Sequence, residues 1–271
     1  MMIFKNFVDM HTHTNNSFDG NYPIEELCEA AIENGIKILA FTDHVEMDYF
    51  TEKGFDKDSA NSYADIVRAK EMFKDRIELC VGIELGEPTY NVEASEALIN
   101  SRDYDFVIGS IHNLRKTDDF CELKYEGMDI DSLLKTYFNE LKLLADWAKF
   151  DTFAHLTYPL RYIVGENKIP VDMSKYQKDV DEILSLLVSN DKALEINTSG
   201  LRQPIGITMP DESIVRRFKE LGGKMITVGS DSHFTAHMGA GIEQGMLLAK
   251  RCGFDSVYVF RKRQPVEIEI I

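Results

Sequence analysis

Seven histidines carry most of the chemical information in this 271-residue chain: His11, His13, His44, His112, His155, His233 and His237. Imidazole and carboxylate together are the usual nitrogen and oxygen ligands of divalent transition metals. The first pair sits in Met10-His11-Thr12-His13. On a strand, residues i and i+2 point to one face, so both rings can reach the same ion. That spacing alone says little, since roughly one chain in six with this histidine content would contain it by chance. Further groups add to it: Thr42-Asp43-His44, Gly82-Ile83-Glu84, Ser110-Ile111-His112, Ala154-His155 and Asp231-Ser232-His233, each at the end of a short apolar run. Any one of these histidines, taken singly, is more often a hydrogen-bonded core or surface residue. Their joint placement is what argues for a site. Six histidines with Glu84 and Asp231 exceed the needs of one ion, because a catalytic zinc takes about three protein ligands and a water. Two or three divalent ions are therefore expected, with Glu84 suited to bridge them through its two oxygens. His237 falls outside this pattern and reads as a structural or supporting residue. Asp19, in Asn15-Asn16-Ser17-Phe18-Asp19-Gly20, reads by composition as a turn residue.

The elements that must position these residues can be read from the same rows. Apolar runs at Phe7–Met10, Ile36–Thr42, Ile77–Leu85, Phe106–Ile111, Thr152–Leu156, Ala193–Asn197 and Met225–Val228 are short and mostly continuous, as strands buried on both faces are. Amphipathic helical patterns lie between them at Pro23–Asn34, Ser59–Phe73, Asp131–Lys149, Ser174–Ser189, Asp211–Leu221 and Gln244–Arg251. Successive strand ends are roughly 30 to 40 residues apart, the length of a βαβ unit. Seven such units predict an α/β fold, a parallel sheet closed into a (β/α)7 barrel, with the ligand-type residues gathered at the C-terminal ends of its strands. Val257–Phe260 and Val266–Ile271 flank Arg261-Lys262-Arg263-Gln264-Pro265 and predict a C-terminal β-hairpin. No linker divides residues 1–271, which read as one domain.

Composition narrows the function. Asp plus Glu outnumber Lys plus Arg by 46 to 30, a formal charge of −16. Such a chain repels long nucleic acid and suits a small substrate or a site that collects cations. The four cysteines form no C-x-x-C pair, so neither a zinc finger nor a disulfide framework is expected. Without a signal-peptide pattern or an apolar run long enough to span a bilayer, the expected location is cytoplasmic, with no membrane partner. The oligomeric state is not legible.

The order H-x-H, D-H, G-x-E, H, A-H, D-x-H resembles the polymerase and histidinol phosphatase (PHP) superfamily, and within it the stand-alone histidinol-phosphatase branch. The resemblance spans essentially the whole chain and implies a distorted (β/α)7 barrel with a trinuclear metal centre. It places His11, His13, Glu84 and Asp231 on one ion, Glu84, His112 and His155 on a second, and Asp19, His44 and His233 on a third. Many members carry His where this chain has Asp19. The metals implied are Zn, Mn or Fe, and the activity implied is hydrolysis of L-histidinol phosphate to L-histidinol and phosphate, a step of histidine biosynthesis.

That chemistry needs a nucleophile at neutral pH and neutralised charge at phosphorus, which ions about 4 Å apart provide. The expected route is in-line attack by a metal-bridging hydroxide, with Asp231 or His233 relaying the proton. Phosphate also attracts arginine forks. Arg161, after His155, Arg202, after the sixth strand, and Arg115, after His112, are the candidates for substrate contact. The sixth strand offers no metal ligand, and its loop is free to meet substrate. Glu46, Asp48 and Glu87 lie near strand ends and could face the cationic part of such a substrate, but none is assigned. The rival readings are a PHP phosphoesterase acting on a nucleotide or another small phosphate ester, an amidohydrolase barrel, which usually has eight strands and a modified lysine where Glu84 stands, and a non-catalytic metal-binding module.

Overall fold

The computed structural model describes residues 5–271. Buried apolar runs become strands because their backbone polar groups can be satisfied only by neighbouring strands once water is excluded. The chain order is β1 (Val8–Thr12), α1 (Ile24–Glu33), β2 (Ile38–Phe41), β3 (His44–Glu46), α2 (Phe55–Phe73), β4 (Glu78–Gly86), α3 (Val92–Asn100), β5 (Phe106–Ser110), α4 (Ile130–Trp147), β6 (Thr152–Phe153), α5 (Gln177–Ser189), β7 (Ala193–Asn197), α6 (Glu212–Glu220), β8 (Ile226–Gly229), α7 (Ile242–Arg251), β9 (Ser256–Arg261) and β10 (Gln264–Glu269). The parallel path runs β1-β2-β4-β5-β6-β7-β8, and β3 pairs with the second half of β4. This is the expected path of seven strands.

The structure differs from the sequence reading in two elements. Thr42-Asp43 kinks the second strand, so that its continuation His44–Glu46 forms β3 against Glu84–Gly86. Helix α3 was not expected from the sequence. Its apolar face is only Leu98 and Ile99 beside Ser95, too little for a periodic signal, and it starts where the Asn91 side chain accepts a hydrogen bond from the Ala94 N–H. Other helix starts shift by a few residues. Gly54, at φ +77°, lets α2 begin at Phe55, while Met173–Tyr176 forms a 3-10 turn before α5. The hairpin is β9–β10, joined through Lys262-Arg263, both at positive φ. That turn is pinned to the floor of the barrel. Asp105 accepts from the Lys262 N–H, its carbonyl accepts from the Arg263 N–H, and the Arg263 side chain reaches Asp151.

All strands of the barrel sheet, β1 to β8, run in one sense, so their C-terminal ends converge at one rim. The sheet closes there, between β1 and the segment after β8. The His13 N–H donates to the Ser232 carbonyl at 2.9 Å, and the Asp231 N–H to the His11 carbonyl at 2.8 Å. Asp9, buried on β1, accepts from the Ser230 N–H at 2.8 Å and the Gly239 N–H at 3.1 Å. Burial pushes the Asp9 carboxyl up to about 6 despite these bonds. The close approach depends on Gly229, where a Cβ would stand 2.3 Å from His11 Cβ and 2.6 Å from Glu195 Oε1. Gly229→Ala is therefore expected to destabilise the fold by about 2–4 kcal/mol, as overpacking of a rigid core does. Urea unfolding checks this, and an unchanged midpoint would contradict the closure argument.

Candidate metal centre

Glu84 lies at the middle of the rim, on β4 opposite Ile108 of β5, and is fully buried. Its Oε2 is 3.1 Å from His11 Nε2, 3.0 Å from His44 Nδ1 and 3.6 Å from His13 Nε2. Its Oε1 is 3.1 Å from His155 Nε2 and 3.2 Å from His112 Nε2. Two groups of imidazoles thus face opposite oxygens of one carboxylate, the arrangement a bridging ligand requires.

Asp231 is held in the left-handed backbone region, at φ +54°, an unusual conformation for a residue other than glycine. Its Oδ1 is 3.6 Å from His13 Nε2, 4.0 Å from His11 Nε2 and 3.7 Å from His233 Nδ1. Its Oδ2 is anchored by Arg161 Nη2 at 3.1 Å and Ser199 Oγ at 3.2 Å. On the outer side, Asp19 Oδ2 is 2.9 Å from His233 Nε2 and Oδ1 is 3.8 Å from His44 Nε2. The loop after β1 therefore brings Asp19 to the cluster. Nine residues read as ligands from motif and resemblance meet in one place: His11, His13, Asp19, His44, Glu84, His112, His155, Asp231 and His233.

Other side chains fix these from behind. Glu195 Oε1 accepts from His11 Nδ1 at 2.6 Å, and its Oε2 accepts from the His155 N–H at 2.8 Å. Glu46 stands 3.2 Å from His112 Nδ1 and 3.3 Å from His44 Nδ1. Glu87 accepts from the His112 N–H at 2.5 Å. Asp43 accepts from the Thr14 N–H and from the hydroxyls of Thr14, Ser17 and Ser62, which sets the loop that carries Asp19. Sequence reasoning assigned none of these four acids a role. Glu46 and Glu87 lie buried behind His112 rather than facing a substrate, and Asp48 accepts from Asn113 Nδ2 and the Lys116 N–H.

The donor set fits divalent cations. Four overlapping triads have one donor atom per residue within 4.8 Å of the others: His13-His44-His233, His11-Glu84-His155, His11-His13-Asp231 and His44-Glu46-His112. His13 Nε2 and His155 Nδ1 are buried without a hydrogen-bond partner, His44 Nδ1 and His233 Nε2 lie near carboxylate oxygens but not at hydrogen-bonding angles, and the His112 and His155 Nε2 atoms face each other at 3.3 Å. Buried polar atoms left without a partner cost free energy, so a cluster of them calls for a cation. Electrostatics agree. Burial disfavours charge on His11, His44 and His112, but Glu84 with Glu195, Asp19 or Glu46 outweighs it and holds all three well above the ordinary imidazole value. Burial likewise opposes ionisation of Glu84, and His11, His44 and His112 overcome it and hold the carboxyl well below its usual range. His13 is pushed down by burial and then by its cationic histidine neighbours.

A cavity of about 110 Å³ opens onto the cluster, with Phe18, Asp19, His44, His112, Asp119 and Tyr158 among its walls. A wider one of about 430 Å³ adjoins it through Asp19, Arg161, Asp231 and His233 and continues past Arg202, Phe234 and His237. Arg161, at the head of a π-helical turn (Arg161–Glu166), is buried over the Tyr158 ring and faces both cavities. Arg202 faces the wider cavity while its Nη1 and Nη2 donate to the Ser230 and Asp231 carbonyls at 2.6 and 2.7 Å. Arg115 is not brought in. It stacks over Tyr90 and donates to the Thr89 and Tyr90 carbonyls, outside the residues that line either cavity. His237 sits in a 3-10 turn (Thr235–His237) on the wall of the wider cavity.

The model of the PHP domain family matches residues 9–199. The chain belongs to the PHP domain family. It is 31% identical over 258 residues to a probable histidinol-phosphatase of Thermotoga maritima, covering 94% of this chain and 97% of that one. It is 28% identical over 255 residues to the histidinol-phosphatase of Lactococcus lactis, covering 93% and 94%. A crystal structure of histidinol phosphate phosphatase from Lactococcus lactis, complexed with Zn, L-histidinol and phosphate, superposes with a TM-score of 0.79 at 25% identity, covering 96% of this chain and 99% of that one. No helix among the described residues of this PHP protein is long and apolar enough to cross a membrane.

A metal must displace protons from such a cluster. His11, His44 and His112 are held above their ordinary value by the surrounding carboxylates, so the metal-free protein holds protons there more tightly than free imidazoles do, whereas a ligating imidazole nitrogen must be bare. Zinc added to metal-free protein at pH 7 in dilute buffer is expected to release more than one proton per chain. Release should shrink as pH rises through the raised imidazole values, and affinity should fall as pH drops. A pH-stat titration measures both, and zinc uptake without acid release would contradict these assignments.

Proposed function

We propose that this chain is a metal-dependent phosphoric monoester hydrolase that converts L-histidinol phosphate to L-histidinol and phosphate, in histidine biosynthesis. The observation that carries the reading is the meeting of eight nitrogen and oxygen donor residues around Glu84, with the Arg161 guanidinium against the same cavity. The end-to-end likeness to histidinol-phosphatases supplies the substrate. Residues 1–271 are read as one domain, since the terminal hairpin is tied by Arg263 to Asp151. The free cysteines fit a reducing cytoplasm.

The ions proposed are two or three of Zn, Mn or Fe. His11, His13, Glu84 and Asp231 would hold one, Glu84, His112 and His155 a second, and Asp19, His44 and His233 a third. When bound, they supply positive charge to the phosphate oxygens and lower the pKa of water at the site. The chain's own residues do the rest. Arg161 presents a guanidinium to the phosphate from the cavity wall, and its burial over Tyr158 fixes its direction. Arg202 serves a double part: it holds the Ser230 and Asp231 carbonyls and faces the wider cavity. Asp231, kept ionised against burial by His11 and then Arg161, would accept a hydrogen bond from the attacking water and so orient it while its proton is relayed toward His233. His233, partly exposed on the same wall, would return that proton to the leaving alkoxide in a state where it is not coordinated, since ligation of the third ion competes with this role.

The leaving alcohol carries an ammonium and an imidazole. Phe18, an aromatic ring that is 68% exposed on the narrow cavity, offers a face to the imidazole. Asp119, on the opposite loop, is held by the Tyr158 hydroxyl at 3.1 Å and offers a carboxylate to the ammonium. The alternative, a nucleotide or another small phosphate ester, would find no such anion useful.

The deciding assay is phosphate release from metal-replete protein with histidinol phosphate beside nucleotides, sugar phosphates and p-nitrophenyl phosphate. Histidinol phosphate is expected to lead in kcat/KM, and Glu84→Ala to abolish turnover. Asp119→Asn should lower kcat/KM for histidinol phosphate about tenfold, the order of one charge-assisted hydrogen bond, with little change for p-nitrophenyl phosphate. A nucleotide at the head of the panel would move the chain to the alternative.

A further inference from the structure

Three N–H groups from separate places converge on one buried side chain that belongs to none of the proposed ligand sets. This is Glu195, at the centre of β7. Oε1 takes the His11 Nδ1 hydrogen at 2.6 Å. Oε2 takes the His155 backbone N–H at 2.8 Å and Asn197 Nδ2 at 3.3 Å. The pocket around it is tight, since even a methyl group at position 229 would come within 2.6 Å of Oε1. The side chain is only 1% exposed, so neither oxygen is left to water.

We propose that Glu195 is a positioning residue that aims His11 and His155 at opposite oxygens of Glu84, and so sets the metal affinity of the centre. The inference rests on the metal-centre reading above. His11 turns its Nε2 to Glu84 Oε2 at 3.1 Å, and His155 turns its Nε2 to Glu84 Oε1 at 3.1 Å. With Nδ1–H committed to Glu195, the neutral His11 ring keeps its proton on Nδ1 and leaves Nε2 bare for an ion. The His155 backbone, held by the other oxygen, sets the height of its ring. One carboxylate thus links β1, β6 and β7 behind the centre.

The charge type is dictated by the donors. A carboxylate only accepts, so it serves all three N–H groups. A glutamine amide of the same shape has one accepting oxygen and one donating nitrogen. If its oxygen faces the His155 N–H, its NH2 confronts His11 Nδ1. His11 must then carry its proton on Nε2, which blocks that nitrogen as a ligand. If the amide is reversed, the NH2 confronts the His155 N–H and displaces that ring. Either way one ligand is lost to good geometry.

The test compares the full-length wild-type protein with Glu195→Gln and with Asp105→Asn. The latter removes a buried carboxylate from the barrel floor, where it accepts from the Val81 and Lys262 N–H groups. Each protein is stripped with chelator, checked by circular dichroism and titrated with zinc, and the pH of half-release is recorded. Glu195→Gln is expected to weaken zinc binding 10- to 100-fold, the usual cost of losing the hydrogen-bond partner of a metal-ligating histidine, and to move half-release to higher pH. Asp105→Asn should lose stability yet bind zinc as the wild type does. A second measurement needs no variant: in the zinc-loaded wild type, nitrogen NMR should place a slowly exchanging proton on His11 Nδ1. Wild-type affinity in Glu195→Gln, an equal loss in Asp105→Asn, or a bare His11 Nδ1 would each overturn the proposal. Absence of zinc binding by the wild type would instead overturn the metal-centre reading beneath it.

Discussion

Everything at the rim depends on one buried anion. Glu84 is fully enclosed, and an isolated carboxylate in such a place costs several kcal/mol in desolvation after relaxation. The chain recovers that cost by surrounding it with imidazoles on both oxygens, four of them within 3.2 Å. The imidazoles are themselves buried and so need either protons or a metal. Carboxylate and ring nitrogens form a set in which each member is tolerable only because the others are present. That explains why these ligands come from five separate strand-end segments, of β1, β3, β4, β5 and β6, and why the fold must hold all five in register.

A parallel barrel supplies that register because every strand presents its C-terminal end to the same rim. Closure is where the design is tightest. His11 and Asp231 face each other across the β1–β8 junction, and their backbones bond directly. Position 229 has to be glycine so that β8 can come this near to His11 and Glu195. Asp231 then turns through a left-handed backbone conformation, held by Arg202 on its carbonyl and by Arg161 and Ser199 on its carboxylate. The strained residue is also one that faces three imidazoles, in keeping with the tendency of strain to collect where geometry is used.

How much of this was legible follows from what each residue type signals. Histidines are few, so their placement at strand ends stood out, and with it Glu84 and the seven-strand path. Acidic residues are 46 in number and carry no such contrast. Glu195 lies inside a strand that was correctly expected, yet Ala-Leu-Glu-Ile-Asn reads as any buried strand with one polar residue. Its importance lies in what it meets across the barrel, which is tertiary information. Glu46 was noticed as lying near a strand end, but the Thr42-Asp43 kink that turns it behind His112 is not visible in a periodicity. Helix α3 escaped because its buried face is small. Arg115, like Arg161, follows a strand-end histidine, and spacing made it a third choice behind Arg161 and Arg202. The structure separates them: a π-helical turn brings Arg161 into the cavity, while Tyr90 holds Arg115 away.

The formal charge of −16 is at first sight at odds with an anionic substrate. The resolution is the distance over which charge acts. Exposed carboxylates more than about 10 Å away are largely screened at physiological salt. Buried groups are screened far less and determine the local field. At the cavity those groups are Arg161, Arg202 beside it and the carboxylates of the donor cluster, and each divalent ion held there would add two positive charges. The surrounding acidity then acts on the other end of the substrate. It repels nucleic acid, and the Asp119 carboxylate on the cavity wall is the group proposed above to meet a cationic leaving group. With its ions bound, a chain that is acidic overall would be cationic at one buried point and would favour a small ester with phosphate at one end and an amine at the other. The distribution of charge, rather than its sum, is what fits this barrel to such a molecule.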